Sequence, residues 1–233
     1  MKLLVTAGPT REYLDDVRFL TNASSGRMGH AIADAALAAG HQVVLVRGPV
    51  SLPPVAGCRQ IDVETTREMW DACAGEWPDC DGLIATAAVC DYRPRDRARG
   101  KLKKTGSGLR LDLVETEDIL ASLAARKGPR FVVGFALEVA ADRSNAVTKL
   151  RSKNCDAIVL NAPSALNGLM TQVELIVPPA RTIGTWSGSK RDVADRLIAW
   201  IGAEFGAGST PQGMTRSLAK SLGMGGSAQA DCR

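Results

Sequence analysis

The feature that most constrains the fold is the alternation of two hydrophobic patterns along the first two thirds of the chain. Five short runs rich in Val, Leu, Ile and Ala predict buried strands, at residues 2–7, 42–47, 83–89, 131–136 and 156–160. The stretches between them have apolar residues at helical spacing, at residues 28–39, 66–74, 118–126 and 144–153. Alternating strands and helices predict a doubly wound α/β fold with a parallel sheet.

A different strand pattern follows nearer the C-terminus. Residues 172–177 and 181–186 are two strand-like runs that are separated by Pro178 and Pro179. So tight a turn predicts antiparallel pairing. We therefore expect a mostly parallel, mixed sheet with an antiparallel strand near the C-terminus.

The last apolar periodicity predicts a helix over residues 189–205, with Ser187 or Ser189 as its N-cap. Beyond it the chain is rich in Gly and Ser and poor in large apolar residues. Such a composition cannot bury enough apolar surface to fold. We therefore predict one domain over 1–205 and a disordered tail over 206–233.

Composition narrows the class of protein. No run approaches the roughly 18–20 apolar residues of a membrane span, so we expect no membrane partner. The apolar start at residues 1–5 is interrupted by Gly8 and Pro9 too early for a signal peptide. The six cysteines form no C-x-x-C pair, and with two histidines no zinc spacing can be assembled. We expect a cytoplasmic enzyme with reduced thiols.

Positive charge is concentrated in residues 91–104, which read DYRPRDRARGKLKK. This basic segment has seven basic and two acidic residues, so its net charge of +5 exceeds the +4 of the whole chain. Nucleic-acid binding usually needs a broad basic face with interleaved aromatic residues, so we expect no nucleic-acid partner. A short basic run suits a mobile loop that closes over a small polyanion.

The first predicted strand leads into a long glycine-rich loop before the first helix. In a doubly wound sheet this loop lies at the carboxyl end of the strand, where ligands bind. Backbone N–H groups and the helix dipole attract phosphate or carboxylate there. A capped helix with a glycine packed on the sheet is the alternative, and the dinucleotide pattern G-x-G-x-x-G is absent. The predicted substrate and anion residues are Gly8, Ser24, Ser25, Gly26 and Gly29.

Several motifs occur in a fixed order over residues 1–161, and more loosely to about 205. They read GPTRE, VRFLTN, SSGRMG, AAVCDYRP with KLKK after it, VVGFALE, and K-x-x-x-K before a D-x-I-V-x-N strand. This set resembles bacterial-type phosphopantothenate–cysteine ligase, also called phosphopantothenoylcysteine synthetase. The resemblance implies a three-layer αβα Rossmann-like sandwich, here standing alone without the flavin-dependent decarboxylase domain that many homologues carry in front of it.

The resemblance also implies a reaction in coenzyme A biosynthesis. The carboxylate of 4′-phosphopantothenate attacks the α-phosphorus of CTP and pyrophosphate leaves. The amine of L-cysteine then displaces CMP from the acyl-cytidylate. ATP is the alternative nucleotide. Mg²⁺ is the implied cofactor and, because it usually binds substrate phosphates, we expect no protein metal site. A homodimer and a separate phosphopantothenoylcysteine decarboxylase are the implied macromolecular partners.

Two residues match catalytic positions of that family. Asn22 matches an asparagine whose amide donates to the acyl intermediate, and Lys101 matches a lysine that neutralises developing phosphoryl or oxyanion charge. The alternative for Asn22 is an N-cap of the following helix. The alternative for Lys101 is a solvated surface charge.

The nucleotide site is also implied by the resemblance. Asp91 could instead be a turn residue, and Phe135 a core residue. Lys149 and Lys153 are four residues apart on one predicted helix, so they share a face. That face either holds the triphosphate or is an ordinary solvent-exposed helix surface. The implied nucleotide-binding residues are Ala85, Thr86, Ala87, Asp91, Glu117, Asp118, Ile119, Leu120, Phe135, Lys149 and Lys153.

Some positions depart from the family pattern. Its Asn-Pro-Asp-Ile turn reads Thr-Glu-Asp-Ile at residues 116–119, which makes the backbone contacts there less certain. Cys90 replaces a small residue, and Ala162 replaces an aspartate. The polar stretch before the antiparallel strands is also replaced, at residues 169–172.

Two other function classes are open. An NAD-dependent oxidoreductase would place an acidic residue at the end of the second strand. That strand ends at Arg47, which could meet the 2′-phosphate of NADP instead. A noncatalytic nucleotide-binding subunit is the other alternative. The presence of Asn22, Asp91 and Lys101 argues against it.

Overall fold

A mixed eight-stranded sheet forms the middle layer of the computed structural model, which describes residues 1–138, 143–161, 168 and 170–206. Six neighbouring strands are parallel. In spatial order they are β5 (Arg59–Asp62), β4 (Gln42–Arg47), β1 (Lys2–Ala7), β6 (Gly82–Ala85), β9 (Phe131–Leu137) and β10 (Ala157–Asn161). Two antiparallel strands complete the far edge, β11 (Met170–Val177) and β12 (Arg181–Ser189).

Helices cover both faces of this sheet. One layer contains α1 (Arg27–Ala38) and α5 (Lys190–Phe205), and the other contains α2 (Thr66–Glu76), α3 (Ile119–Ala124) and α4 (Arg143–Ser152). The two layers enclose two separate buried clusters with the sheet between them. The predicted three-layer αβα architecture is therefore confirmed.

The residue pattern of the central strands explains the two clusters. Successive side chains of a strand point to opposite faces of the sheet. In β1, Leu3 and Val5 join the cluster under α1 and α5, whereas Leu4 joins the cluster under α2, α3 and α4. Strand β4 divides in the same way, with Leu45 on the first face and Val44 on the second. Both faces are apolar because both are covered by helices.

Two short hairpins lie in the connections that follow β1 and β6. Strands β2 (Arg11–Tyr13) and β3 (Phe19–Thr21) form the first, and β7 (Tyr92–Pro94) and β8 (Leu113–Glu115) form the second. Neither hairpin was predicted, nor was the edge strand β5. The hairpins place residues of both connections above the carboxyl ends of the parallel strands.

The predicted elements differ from the observed ones mainly at their ends. The strand predicted over 83–89 ends at Ala85, and the helix predicted over 118–126 is limited to α3, with Asp118 as its N-cap. Of the two predicted N-caps, Ser189 is the one that caps α5, and it forms a capping box with Asp192. The predicted tail lies outside the described residues beyond Gly206. No helix in the described ranges has the length and apolarity needed to cross a membrane.

The strand order locates the ligand crevice. From β1 the chain passes to β4 and β5 on one side, then crosses to β6 on the other side of β1. Connections that leave in opposite directions open a crevice at the carboxyl ends of the two strands between them. The site therefore lies above β1 and β6.

Candidate active site

A cleft of about 720 Å³ occupies this crevice. It is lined by the loop before α1, the chain that leaves β6, the turn before α3, and side chains of β9 and α4. Asn22 and all the residues predicted for the anion and nucleotide sites line it, except Gly8. Lys101 is not among the lining residues.

The loop before α1 and the first three residues of that helix, residues 22–29 together, are here called the anion loop. Gly26 adopts φ +72° and is the N-cap of α1, where it makes no side-chain cap. Gly29 packs on the sheet so closely that a Cβ would lie 2.4 Å from Cβ of Ala7 and 2.7 Å from Oγ1 of Thr86. The packed-glycine alternative is thus correct for Gly29, and the same residue also lines the cleft.

Gly8 lies behind the cleft. It adopts φ +76°, and its carbonyl accepts a hydrogen bond from the Ala88 N–H at 2.9 Å. A Cβ at this position would approach Val50 to 2.9 Å. Gly8 therefore shapes the first loop and fastens it to the chain that leaves β6, without facing the cleft itself.

Asn22 is fixed by the connection after β6. Its Nδ2 donates to the carbonyl groups of Ala88 and Val89, at 3.0 Å each. Two carbonyl acceptors orient the amide unambiguously, because Oδ1 could not accept from either of them. The N-cap alternative for Asn22 is wrong, since Gly26 occupies that position.

The end of β6 is joined to the end of β1 by threonine hydroxyls. Thr86 Oγ1 donates to the Thr6 carbonyl at 2.6 Å, and Thr6 Oγ1 accepts from the Ala87 N–H at 3.2 Å. These bonds tie the chain that leaves β6 to the end of β1, and regular strand pairing ends at Ala85. The backbone at 85–87 is thereby presented to the cleft.

Cys90 anchors the next part of the connection. Its N–H donates to Thr10 Oγ1 at 2.8 Å, and its carbonyl accepts from Thr116 Oγ1 at 2.6 Å. Burial raises the pKa of its thiol. Asp91 follows on the cleft side, and its carbonyl accepts from the Thr116 N–H at 2.9 Å. Asp91 thus lies at a bend just before β7 and lines the cleft.

The turn before α3 carries its own charge pairs. Asp118 caps α3 through the Ala121 N–H at 2.8 Å and also pairs with Lys153. Glu117 pairs with Arg67 at 3.3 Å on the outer rim. This turn lacks the family's proline, but the Asp118 cap and the two ion pairs still hold it.

Lys149 is a half-buried cation of the cleft. Its Nζ donates to the Phe135 carbonyl at 2.7 Å. Burial lowers the pKa of Lys149, and the carboxylates of Asp118 and Asp91 oppose that shift. Lys149 and Lys153 both reach the cleft, as predicted, although Lys153 lies just past the end of α4. Phe135 packs against the core cluster and lines the cleft as well.

Sequence analysis missed Lys190. This lysine is the first residue of α5 and is 8% exposed, and it lines the cleft. Burial and the positive charge of Arg27 lower its pKa. The capping box at Ser189 was readable from the sequence, but the packing of α5 beside α1 that brings Lys190 to the cleft was not.

The basic segment lies against the first hairpin. The Leu102 N–H donates to Asp15 at 3.0 Å, and the Gly100 N–H donates to Asp16 at 2.7 Å. Arg18 donates to Asp15 at 2.6 Å and to the Leu102 carbonyl at 2.8 Å, and it holds the pKa of Asp15 well below its usual range. Lys101 is therefore exposed between two anchored residues, outside the lining of the cleft.

Arg47 does not line the cleft. It is 9% exposed, donates from Nε to Asp62 at 2.8 Å, and donates from Nη1 to the Leu52 carbonyl at 3.0 Å. A guanidinium committed in this way cannot bind a nucleotide 2′-phosphate without losing those partners. The structure therefore disfavours the NADP alternative.

The described residues contain no cluster of three or more His, Cys, Asp or Glu side chains that could hold a metal ion. Several single carboxylates line the cleft, however. Glu117 and Asp118 have cationic partners, whereas Asp91 lies at the end of the β6 connection. Mg²⁺ commonly binds one or two carboxylates together with substrate phosphates, and this donor set fits such an ion.

Fold and cleft together define a doubly wound α/β protein with a loop and a helix N-terminus lining a cleft at the switch between β1 and β6. The chain belongs to the DFP family, the DNA/pantothenate metabolism flavoprotein C-terminal domain, which matches residues 1–204. The family suggested by the motifs of the sequence is thus confirmed.

Three known proteins illustrate the relationship. The coenzyme A biosynthesis bifunctional protein CoaBC of Vibrio vulnificus strain YJ016 is 45% identical over 162 residues, which are 68% of this chain and 40% of that protein. A cysteine/cysteine sulfinic acid decarboxylase from an unknown prokaryotic organism is 44% identical over 206 residues, 86% of this chain and 57% of that protein. The crystal structure of the C-terminal domain of CoaBC superposes with a TM-score of 0.74 at 36% identity, and covers 86% of this chain and 93% of that one.

The chain thus spans about half, or less, of the length of these curated relatives. By contrast, it matches almost the whole of the CoaBC C-terminal domain. The similarity to coenzyme A biosynthesis proteins therefore concerns that domain.

Proposed function

We propose that this chain is a phosphopantothenate–cysteine ligase that uses CTP. The observation that carries the proposal is the single cleft that joins the anion loop, the backbone at 85–87, the turn before α3 and the two lysines Lys149 and Lys153. Its volume lies within the range of small-molecule sites. The similarity to the C-terminal domain of a coenzyme A biosynthesis protein supports the same reaction.

The reaction has two balanced steps. In the first, a carboxylate oxygen of 4′-phosphopantothenate bonds to the α-phosphorus of CTP, the bond to the bridging oxygen breaks, and pyrophosphate leaves. In the second, the amine of cysteine attacks the acyl carbon, CMP leaves with the bonding electron pair, and the nitrogen loses a proton. The substrates supply both nucleophiles, so the protein has to orient them and stabilise charge.

Positive charge and N–H donors in the cleft suit the phosphate groups. Lys149 and Lys153 supply cations on one side, and the anion loop supplies the N-terminus of α1 on the other. Lys153 already pairs with Asp118, so a triphosphate would share that lysine with the carboxylate. Phe135 offers an apolar face for the base.

Asn22 is proposed to stabilise the acyl group. Both hydrogens of its amide are engaged with backbone carbonyls, so donation to a substrate oxygen exchanges one of these bonds. The exchange becomes favourable as negative charge develops on the substrate oxygen, because charged acceptors form stronger hydrogen bonds. Lys101 would contribute when the basic segment approaches the cleft.

Asp91 would hold Mg²⁺ that is carried in on the phosphates. The ion supplies neutralisation of phosphate charge and polarisation of the phosphorus. A homodimer and a separate decarboxylase partner remain predictions.

Product formation tests the proposal. The protein is incubated with CTP, 4′-phosphopantothenate, cysteine and Mg²⁺, and phosphopantothenoylcysteine and CMP are measured by mass spectrometry. We expect equal amounts of both products, no product when any substrate is omitted, and loss of product with a chelator. Absence of product would overturn the proposal. A higher rate with ATP than with CTP would overturn the choice of nucleotide.

A further inference from the structure

A chain of hydrogen bonds runs from the edge of the sheet to the anion loop. Arg47 donates from Nε to Asp62 at 2.8 Å and from Nη1 to the Leu52 carbonyl at 3.0 Å. The same Nη1 lies 3.3 Å from Nε2 of His30, and Nδ1 of His30 lies 3.0 Å from the Gly26 carbonyl oxygen. Arg47 and His30 are both buried, at 9% and 7% exposure.

The partners of His30 define its protonation. A carbonyl oxygen can only accept, so Nδ1 carries the hydrogen that is donated to Gly26. A guanidinium can only donate, so Nε2 keeps its lone pair and accepts from Arg47. His30 is therefore neutral, in the Nδ1–H tautomer. Burial and the nearby charge of Arg47 lower its pKa, which favours the same neutral form.

The carbonyl that accepts from His30 belongs to Gly26, the N-cap of α1. Gly26 O accepts the backbone N–H of His30 at 3.1 Å in addition to the imidazole. In a planar trans peptide the carbonyl and the next N–H point in opposite directions. Holding the Gly26 carbonyl along α1 therefore directs the N–H of Arg27 out of the helix N-terminus, on the side where Ser24 and Ser25 line the cleft.

We propose that His30 and Arg47 are positioning residues for the anion loop, and that they fix the Gly26 peptide so that the N-terminus of α1 presents its N–H groups to a bound phosphate or carboxylate. Neither residue lines the cleft, so both act through Gly26. The charge of Arg47 also polarises the imidazole and strengthens its bond to Gly26. This inference rests on the proposed function only for the identity of the anion.

The tautomer of His30 can be observed directly. The chain contains only two histidines, so long-range ¹H–¹⁵N correlation spectra of the imidazoles are simple to assign, and His41→Phe identifies the second residue. We expect His30 to be neutral at pH 7, with hydrogen on Nδ1. A His30 that carries hydrogen on Nε2 would overturn the proposal.

Binding of inorganic pyrophosphate and of CTP, measured by calorimetry without turnover, tests the consequence. His30→Phe removes both hydrogen bonds, and we expect it to weaken both ligands about tenfold, the effect of one well-placed bond. His30→Asn keeps a donor near the place of Nδ1 and should recover part of the affinity. Arg47→Met should weaken binding as His30→Phe does. The matched control His41→Phe should bind both ligands as the unaltered protein does.

Unchanged affinity in His30→Phe, or no pyrophosphate binding by the unaltered protein, would overturn the proposal. If the thermal midpoint shows that His30→Phe does not fold, two other measurements decide the question. They are the affinity of His30→Asn for pyrophosphate and the tautomer of His30 in the unaltered protein. Failure of the proposed function has a different signature. It would leave the unaltered protein without ligase product, while pyrophosphate affinity still falls in His30→Phe.

Discussion

Two polar side chains of the cleft are held by backbone carbonyls. Asn22 bonds to Ala88 and Val89, and Lys149 bonds to Phe135. Such bonds hold each side chain in place before substrate arrives, although Asn22 has to exchange one of its two bonds to donate to a substrate oxygen. The two residues should nevertheless differ in their kinetic effects. In the proposed reaction, the amide would meet charge that develops only in the transition state, whereas the ammonium would meet charge already present on the triphosphate.

The kinetic split between these residues is a testable consequence. Asn22→Ala should lower kcat by about 10²–10³ with little change in KM for CTP. Lys149→Met should instead raise KM for CTP with a smaller effect on kcat. Steady-state kinetics with varied CTP measures both. Lys104→Met changes an exposed lysine of the basic segment and is the control. An Asn22→Ala enzyme that loses only CTP affinity would contradict the assignment.

The buried His30 should make stability depend on pH. Its pKa is lowered by burial and by Arg47, against the opposing charges of Asp34 and Asp62. The unfolded chain, in which histidine titrates near about 6.5, therefore takes up a proton that the folded chain excludes. The free energy of unfolding should fall as the pH drops below that value. Urea titrations from pH 5 to 7.5 should show a shallower fall for His30→Phe, and an identical slope would contradict this account.

Continuous apolar runs made the central strands predictable from the sequence. Strands β1, β4, β9 and β10 appear within one residue of their predicted limits, because each is apolar on both faces. The edge strand β5 was missed because it is short and polar, with only half-buried or exposed residues. The hairpins have three residues per strand, too few for a recognisable period.

Sequence analysis could predict those cleft residues that come soon after the carboxyl end of a predicted strand. The anion loop and the chain after β6 meet because adjacent parallel strands end at one edge. The contribution of Lys190 depends on how α5 packs against α1, and no local pattern of the sequence encodes that packing. The same holds for the contact between Arg47 and His30, two residues in separate elements.

Close packing of α1 on β1 gives a stability prediction. Gly29→Ala would place a Cβ within 2.4 Å of Ala7, and both atoms belong to rigid elements. We expect a loss of about 1–3 kcal/mol in the free energy of unfolding, as for other overpacked cores. Gly75→Ala is the matched control, because a Cβ on this residue of α2 meets nothing within 4 Å. Alanine there should stabilise by about 0.5–1 kcal/mol. Equal thermal midpoints for the two variants would contradict the packing argument.

The basic segment provides a second test at the level of a loop. It is anchored through Asp15 and Asp16, which leaves Lys101 exposed beside those anchors. If Lys101 acts on the reacting groups, Lys101→Ala should lower kcat strongly while Lys104→Ala does not. With cysteine supplied, acyl-cytidylate should accumulate in Lys101→Ala, as detected by mass spectrometry after rapid quench. Near-normal turnover of Lys101→Ala would show that the basic segment is a solvated loop with no role in the reaction.

Cations from several elements line the cleft, among carboxylates from the chain after β6 and from the turn before α3. Lys149 comes from α4, Lys190 from the start of α5, and the anion loop from the start of α1. Arg47 lies behind the loop and is committed to Asp62 and His30. The charged groups of the cleft therefore come from elements that are distant in the sequence and that only the whole fold brings together.

The most direct test of the ligase assignment is to trap the activated acid. The protein, in excess over 4′-phosphopantothenate, is mixed with CTP and Mg²⁺ without cysteine, quenched within a turnover, and assayed by mass spectrometry for acyl-cytidylate and for pyrophosphate. We predict equal amounts of the two, and conversion of the trapped species to phosphopantothenoylcysteine and CMP when cysteine is added before the quench. Pyrophosphate release that does not require 4′-phosphopantothenate, or its absence with both substrates present, would contradict the account.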